Sequence, residues 1–126
     1  GCAVWDPDRA RVVAVGGRDL GGPLAPETVE LDPATGEWTI VEAPSSPPGS
    51  IGCAIARASS TGTIYLFGGA GDDGFDGGTY RYDPEAPAWV ELDVAGPSPR
   101  HDAVIREAPA GSLVLKVGNM AFNYYF

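Results

Sequence analysis

Lysine is almost absent from this 126-residue chain: Lys116 is the only one, and the other seven bases are arginines. Against these eight bases stand 17 acids, giving a net charge of −9. Such a surface repels phosphate backbones and anionic lipid headgroups, so neither nucleic acid nor membrane is an expected partner. A basic protein or peptide segment, a cation or a neutral glycan fits the charge. No apolar run approaches the ~20 residues that span a bilayer. No secretory signal pattern opens the chain. Nor is there an initiator methionine, and the sequence is read as an excised or processed piece. Asn119 and Asn123 lack the hydroxyl residue of an N-glycosylation site.

Histidine is as scarce. His101 stands alone, and zinc sites and Ser-His-Asp triads need several converging partners. No catalytic constellation emerges, an enzyme is disfavoured within this stretch, and no cofactor is expected. His101 is read as a loop-to-strand residue that hydrogen-bonds locally.

Glycine (18) and proline (12) are abundant, but they cluster regularly between short apolar runs. That is the pattern of an all-β chain with many tight turns. Gly1-Cys2-Ala3-Val4 recurs as Gly52-Cys53-Ala54-Ile55, and more weakly at His101-Asp102-Ala103-Val104. Gly16-Gly17 recurs as Gly68-Gly69 and then Gly118-Asn119. Leu31-Asp32-Pro33 recurs as Tyr82-Asp83-Pro84, and Trp38 as Trp89. From the first copy to the second these landmarks are offset by 51, 52, 51 and 51 residues, a spacing that chance matches would not share.

Each full copy holds four runs: Cys2–Trp5, Arg11–Val15, Thr28–Leu31 and Trp38–Val41, then Cys53–Ala56, Ile64–Phe67, Thr79–Tyr82 and Trp89–Leu92. A third copy supplies Ala103–Ile105 and Leu113–Val117. Runs of this length are strands. The second run of each copy is nearly unbroken, which implies burial on both faces; Lys116 breaks the third.

The glycine doublet after the second strand, the apolar-Asp-Pro of the third and the tryptophan of the fourth together resemble the Kelch repeat. Pro97-Ser98-Pro99-Arg100-His101 is similar to the approach to a Kelch first strand. The resemblance implies a Kelch-type β-propeller fragment of four-stranded antiparallel blades. One blade would occupy residues 1–48, a second 49–98, and the first half of a third 99–119. An apolar tail, 120–126, has no counterpart. It further implies a protein-interaction scaffold. The alternative is a piece of a carbohydrate-active or galactose-oxidase-like propeller whose active residues lie in other blades. In this frame Trp38 and Trp89 fill the space between adjacent blades, and the paired glycines give positive φ where the second strand exits.

In a meander the loop from second to third strand lies at the same end as the connection between copies. Those are the long loops, Arg18–Glu27, Ala70–Gly78, Glu42–Ile51 and Asp93–His101, and functional residues favour long loops on a rigid scaffold. The partner-binding candidates are therefore Arg18, Asp19, Asp72, Asp73, Phe75, Asp76, Arg100 and His101. Asp72, Asp73 and Asp76 are also weak candidates for calcium, against the plainer reading of a solvated acidic turn whose glycines close a hairpin. Arg100 with Arg57 and Arg106 could make a cationic spot, although pairing with acids such as Asp102 and Glu107 is the favoured reading.

Cys2 and Cys53 occupy matching places in the repeat. A disulfide needs Cα atoms within ~7 Å, and matching first-strand positions of neighbouring blades are expected to sit farther apart. Two buried thiols acting as small apolar residues are expected, and the compartment stays open. An open array also leaves a blade face uncovered at each end. About 500 Å² of wet apolar surface per face would forfeit on the order of 12 kcal/mol. Domain stability is only ~5–15 kcal/mol, so self-association, or cover from the remaining blades of a parent propeller, is expected.

Overall fold

The computed structural model describes residues 1–17, 27–43, 45–47, 51–96, 98–99 and 102–108, with the backbone of 113–116. The chain is all-β. Its strands are β1 (Cys2–Asp6), β2 (Arg11–Val15), β3 (Thr28–Asp32), β4 (Glu37–Val41), β5 (Ala54–Arg57), β6 (Ile64–Phe67), β7 (Ala70–Gly71), β8 (Gly74–Phe75), β9 (Thr79–Asp83), β10 (Ala86–Leu92), β11 (Val104–Glu107) and β12 (Leu113–Lys116). The first four form an antiparallel meander, β1-β2-β3-β4. A second four-stranded sheet has the order β5-β6-β9-β10, and β11 pairs with β12 in a hairpin. The small hairpin β7–β8 closes at the acidic turn, where glycines were expected to close one.

Local chemistry explains the turns. Asp32 and Asp83 each accept a backbone N–H two residues on, from Ala34 at 2.9 Å and Glu85 at 3.0 Å. This Asx geometry reverses the chain into β4 and β10. Gly16, Gly17, Gly68 and Gly69 all have positive φ, as the doublets require. They release β2 and β6 from their sheets into the long loops.

The two sheets stack face to face. Val13 and Val15 of the first sheet pack against Ile64, Leu66, Tyr80, Tyr82 and Trp89 of the second. Trp89 lies 4.9 Å from the Tyr82 ring centroid and donates its indole N–H to Thr28 Oγ1 at 2.9 Å, across the interface. A buried indole with its one donor satisfied stabilises without leaving an orphan polar group. On its other face the second sheet presents Ala54 and Phe67 to Ala103 and Ile105. The unbroken run Ile64–Phe67 is therefore covered on both sides. The side chains of 113–116, Lys116 among them, lie outside the described residues, as do Gly118-Asn119 and the 120–126 tail.

Two expectations need correction. Trp38 is not buried between sheets as Trp89 is; it is 58% exposed. By register Trp5, Val12, Leu31 and Trp38 form one row across the first sheet, and Ala3, Ala14, Val29 and Ile40 the next. The corresponding rows of the second sheet are Arg57, Ile64, Tyr82, Trp89 and Ile55, Leu66, Tyr80, Glu91. Those rows face the first sheet, whereas no described residue covers the first sheet's own.

The second correction concerns the cysteines, which are joined in a disulfide with a Cα–Cα distance of 5.6 Å. They match in sequence but not in register. Cys2 pairs with Val15, whereas Ala54, not Cys53, pairs with Phe67. Because side chains alternate faces, a one-residue slip reverses direction. Cys2 thus points from the first sheet towards the second, and Cys53 points back. Closing a ring across a sequence separation of 51 stabilises the fold by about 4 kcal/mol on chain-entropy grounds.

The tryptophans give a direct contrast. Trp89→Ala is expected to cost about 3–5 kcal/mol, while Trp38→Ala in the monomer costs about 1 kcal/mol or less. Urea denaturation of the two variants checks this, and equal losses would contradict the placement of Trp89 at the inter-sheet core.

Candidate partner-binding face

The long-loop end is assembled by backbone pairing. Ile51, in the connection between the sheets, bridges Ala70 of β7 through N–H···O=C bonds of 3.2 and 2.8 Å. Asp76 N–H donates to the Gly69 carbonyl at 2.8 Å. The next connection joins the same end: Asp102 N–H donates to the Gly52 carbonyl at 2.7 Å, and Pro99 sits where a side chain on Gly77 would collide. Connections and inter-strand loop therefore lie side by side, as the meander argument requires.

On this base β7 and β8 pair Ala70 with Phe75 and Gly71 with Gly74, leaving Asp72 and Asp73 at the turn. Gly74, at φ 106°, closes it in a conformation that side chains rarely adopt. Phe75 is 50% exposed, and Asp72 and Asp73 are exposed beside it. Asp76 behaves differently. Its Oδ1 accepts the Gly78 N–H at 3.0 Å, and burial together with the Asp76 carboxylate holds the Tyr80 phenol un-ionised well above the ordinary tyrosine range. Asp76 is thus a brace of the loop, turned away from the tip where Asp72 and Asp73 stand. No group of three or more His, Cys, Asp or Glu converges on a metal-sized site among the described residues. Arg18, Asp19, Arg100 and His101 lie outside the described residues.

The opposite end carries short turns and a cross-sheet ion network. Buried Asp6 accepts the Asp8 N–H at 3.1 Å and Arg9 Nε at 2.8 Å. Arg9 also grips Glu30 through two bonds of 3.1 and 2.7 Å, and this Glu30 contact is the chief reason its guanidinium holds its proton more tightly than usual. Arg57 reaches from the second sheet to Asp8 and lies 3.5 Å from Asp6 Oδ1. Its ion-pair partners include these two acids of the first sheet, and its charge also acts on Glu107. Glu107 accepts from Ser59 Oγ at 2.7 Å and Ser59 N–H at 3.0 Å, which lowers its pKa below the usual carboxylate range. A cleft of about 330 Å³ beside this network is lined by Asp6, Asp8, Arg9, Thr61, Gly62, Asp83, Pro84 and Glu85. Of its acids, Asp6 is paired with Arg9, Asp6 and Asp8 are paired with Arg57 across the sheets, and Asp83 accepts the Glu85 N–H in its own turn.

Sequence reasoning overlooked Ile51, which is part-exposed and braces the hairpin from the connection side. A signal existed: an isoleucine directly before Gly52-Cys53, inside an otherwise polar and proline-rich connector. No family model and no curated protein matches this chain.

Tyr82 gives a pH prediction. Its hydroxyl is buried without a hydrogen-bond partner, and burial, followed by the Glu30 charge, pushes its pKa up to about 12. The unfolded chain releases that proton near pH 10, so the native state binds more protons above this point. Stability is full below about pH 10 and falls as pH rises towards 12. Tyr82→Phe should flatten this alkaline loss at neutral-pH stability unchanged or raised by up to about 1 kcal/mol. Denaturant midpoints across pH 7–11 check it, and a Tyr82→Phe curve as steep as the parent's would refute it.

Proposed function

We propose that this chain is a piece of a Kelch-type β-propeller that serves as a protein-interaction scaffold and meets its partner at the long-loop end. The reading is supported by a 51-residue repeat, two stacked meander sheets and connections gathered with the β6–β9 loop at one end. The observation that carries it is Phe75, half-exposed on a hairpin braced from two sides. A rigidly held aromatic loses little entropy on binding and makes an efficient anchor. With Asp72 and Asp73 at the turn and a net charge of −9, the complementary partner is an apolar pocket or peptide rimmed by basic groups. A carbohydrate-active or galactose-oxidase-like propeller is the second reading, favoured by the same exposed aromatic beside carboxylates.

The experiment is peptide-display selection against the immobilised chain, run beside a glycan array. Basic-apolar peptides are expected, with affinity lowered roughly 30-fold or more by Phe75→Ala. Glycan ligands sensitive to Phe75→Ala would transfer the assignment to the second reading, and ligands indifferent to it would remove the hairpin from the binding face.

The uncovered rows of the first sheet belong to the same proposal. Equivalent rows of the second sheet are buried by a neighbouring sheet, so the outer face takes a further sheet of this kind, from the remaining propeller or from a second copy. In isolation the chain is expected to self-associate, and Trp38→Asp to shift it towards monomer. Sedimentation equilibrium over a dilution series tests this, and a dilution-resistant monomer would overturn it.

A further inference from the structure

The seam between β1 and β5 is held at both ends, by Asp6 with Arg57 at one and by Cys2 with Cys53 at the other. We infer that Cys2 and Cys53 are a dedicated oxidation site, and that the chain matures in a compartment supplying a disulfide oxidant. Three observations carry this. The register slip aims the two side chains at each other, which matched repeat positions would not do. The Cα–Cα distance of 5.6 Å lies within disulfide reach. Both cysteines of the chain are consumed, leaving no free thiol.

The chemistry balances through thiol–disulfide exchange. One cysteine thiolate attacks an oxidant disulfide, R–S–S–R, forming a mixed disulfide and expelling RS⁻. The second thiolate then attacks the protein sulfur of that mixed disulfide and expels the other RS⁻. Two protein thiols lose two protons and two electrons, and the oxidant becomes two thiols. Cytosolic glutathione and thioredoxin pools run this exchange backwards, whereas secretory and extracytoplasmic compartments hold it forward. Cys53 is only 8% exposed, within the core that Cys2 packs against. With Cys53 buried and Cys2 partly buried, the bond is protected on the Cys53 side from solvent thiols and acts as a latch. It pins β1, an edge strand, to the neighbouring sheet.

The test compares the chain secreted through an oxidising compartment with the same chain made in a reducing cytosol. Thiols are titrated in denaturant before and after reduction. The secreted protein should show no thiol before reduction and both afterwards; the cytosolic protein should show both throughout. Cys2→Ala/Cys53→Ala should have a folding equilibrium constant roughly a thousandfold below that of the oxidised chain. Reduced parent protein provides the same comparison if the double variant does not fold. Two reactive thiols in folded, secreted protein would overturn the inference. So would an oxidised chain no more stable than its reduced form.

Discussion

Burial of one sheet face against the next is the interaction on which the rest of this structure depends. A four-stranded meander has one face too apolar to leave wet and too few residues to fold back on itself. Here Val13 and Val15 meet Ile64, Leu66, Tyr82 and Trp89, and the repeat makes this contact from one sheet to the next. The second sheet passes part of its far face, Ala54 and Phe67, to the β11–β12 hairpin. The first sheet's outer rows have the same apolar character and no cover among the described residues. This asymmetry explains why Trp38 and Trp89, in matching register, have opposite burial.

Stacking alone does not fix how sheets align, since apolar contacts carry little direction. Directional bonds along the seam supply it. Arg57 donates to Asp8 at the short-turn end, and at the other end Thr28, in the same row as Cys2, accepts from Trp89 beside the Cys2–Cys53 bond. The chemistry divides along the same axis. At one end Arg9 and Arg57 pair with Asp6, Asp8 and Glu30; at the other, backbone pairing holds a hairpin with Phe75 on its strand and Asp72 and Asp73 at its turn.

Much of the architecture was legible in the residues. Glycine doublets, Asp-Pro turns and short apolar runs placed strands close to where they occur, because each reports local backbone need. β5 was the instructive exception. Matching Cys53 to Cys2 set that strand one residue early, although the offset of 51 at the cysteines against 52 at the glycine doublets already recorded the slip. Asp76 was grouped with Asp72 and Asp73 by proximity in sequence, but the loop turns it inward onto Gly78 N–H. The β7–β8 hairpin was legible only through the glycines that close it, because two-residue strands leave no periodicity to read.

The sequence by itself determined that this is an all-β chain of repeated four-strand units with its long loops at one end, since strand length, turn chemistry and alternation are local properties. Tertiary structure alone decided which tryptophan is buried, which acid faces solvent and whether two cysteines meet. Those outcomes depend on the face each side chain takes and on what stands opposite. A shift of one residue, invisible to composition and nearly invisible to spacing, reverses the first and thereby selects the second.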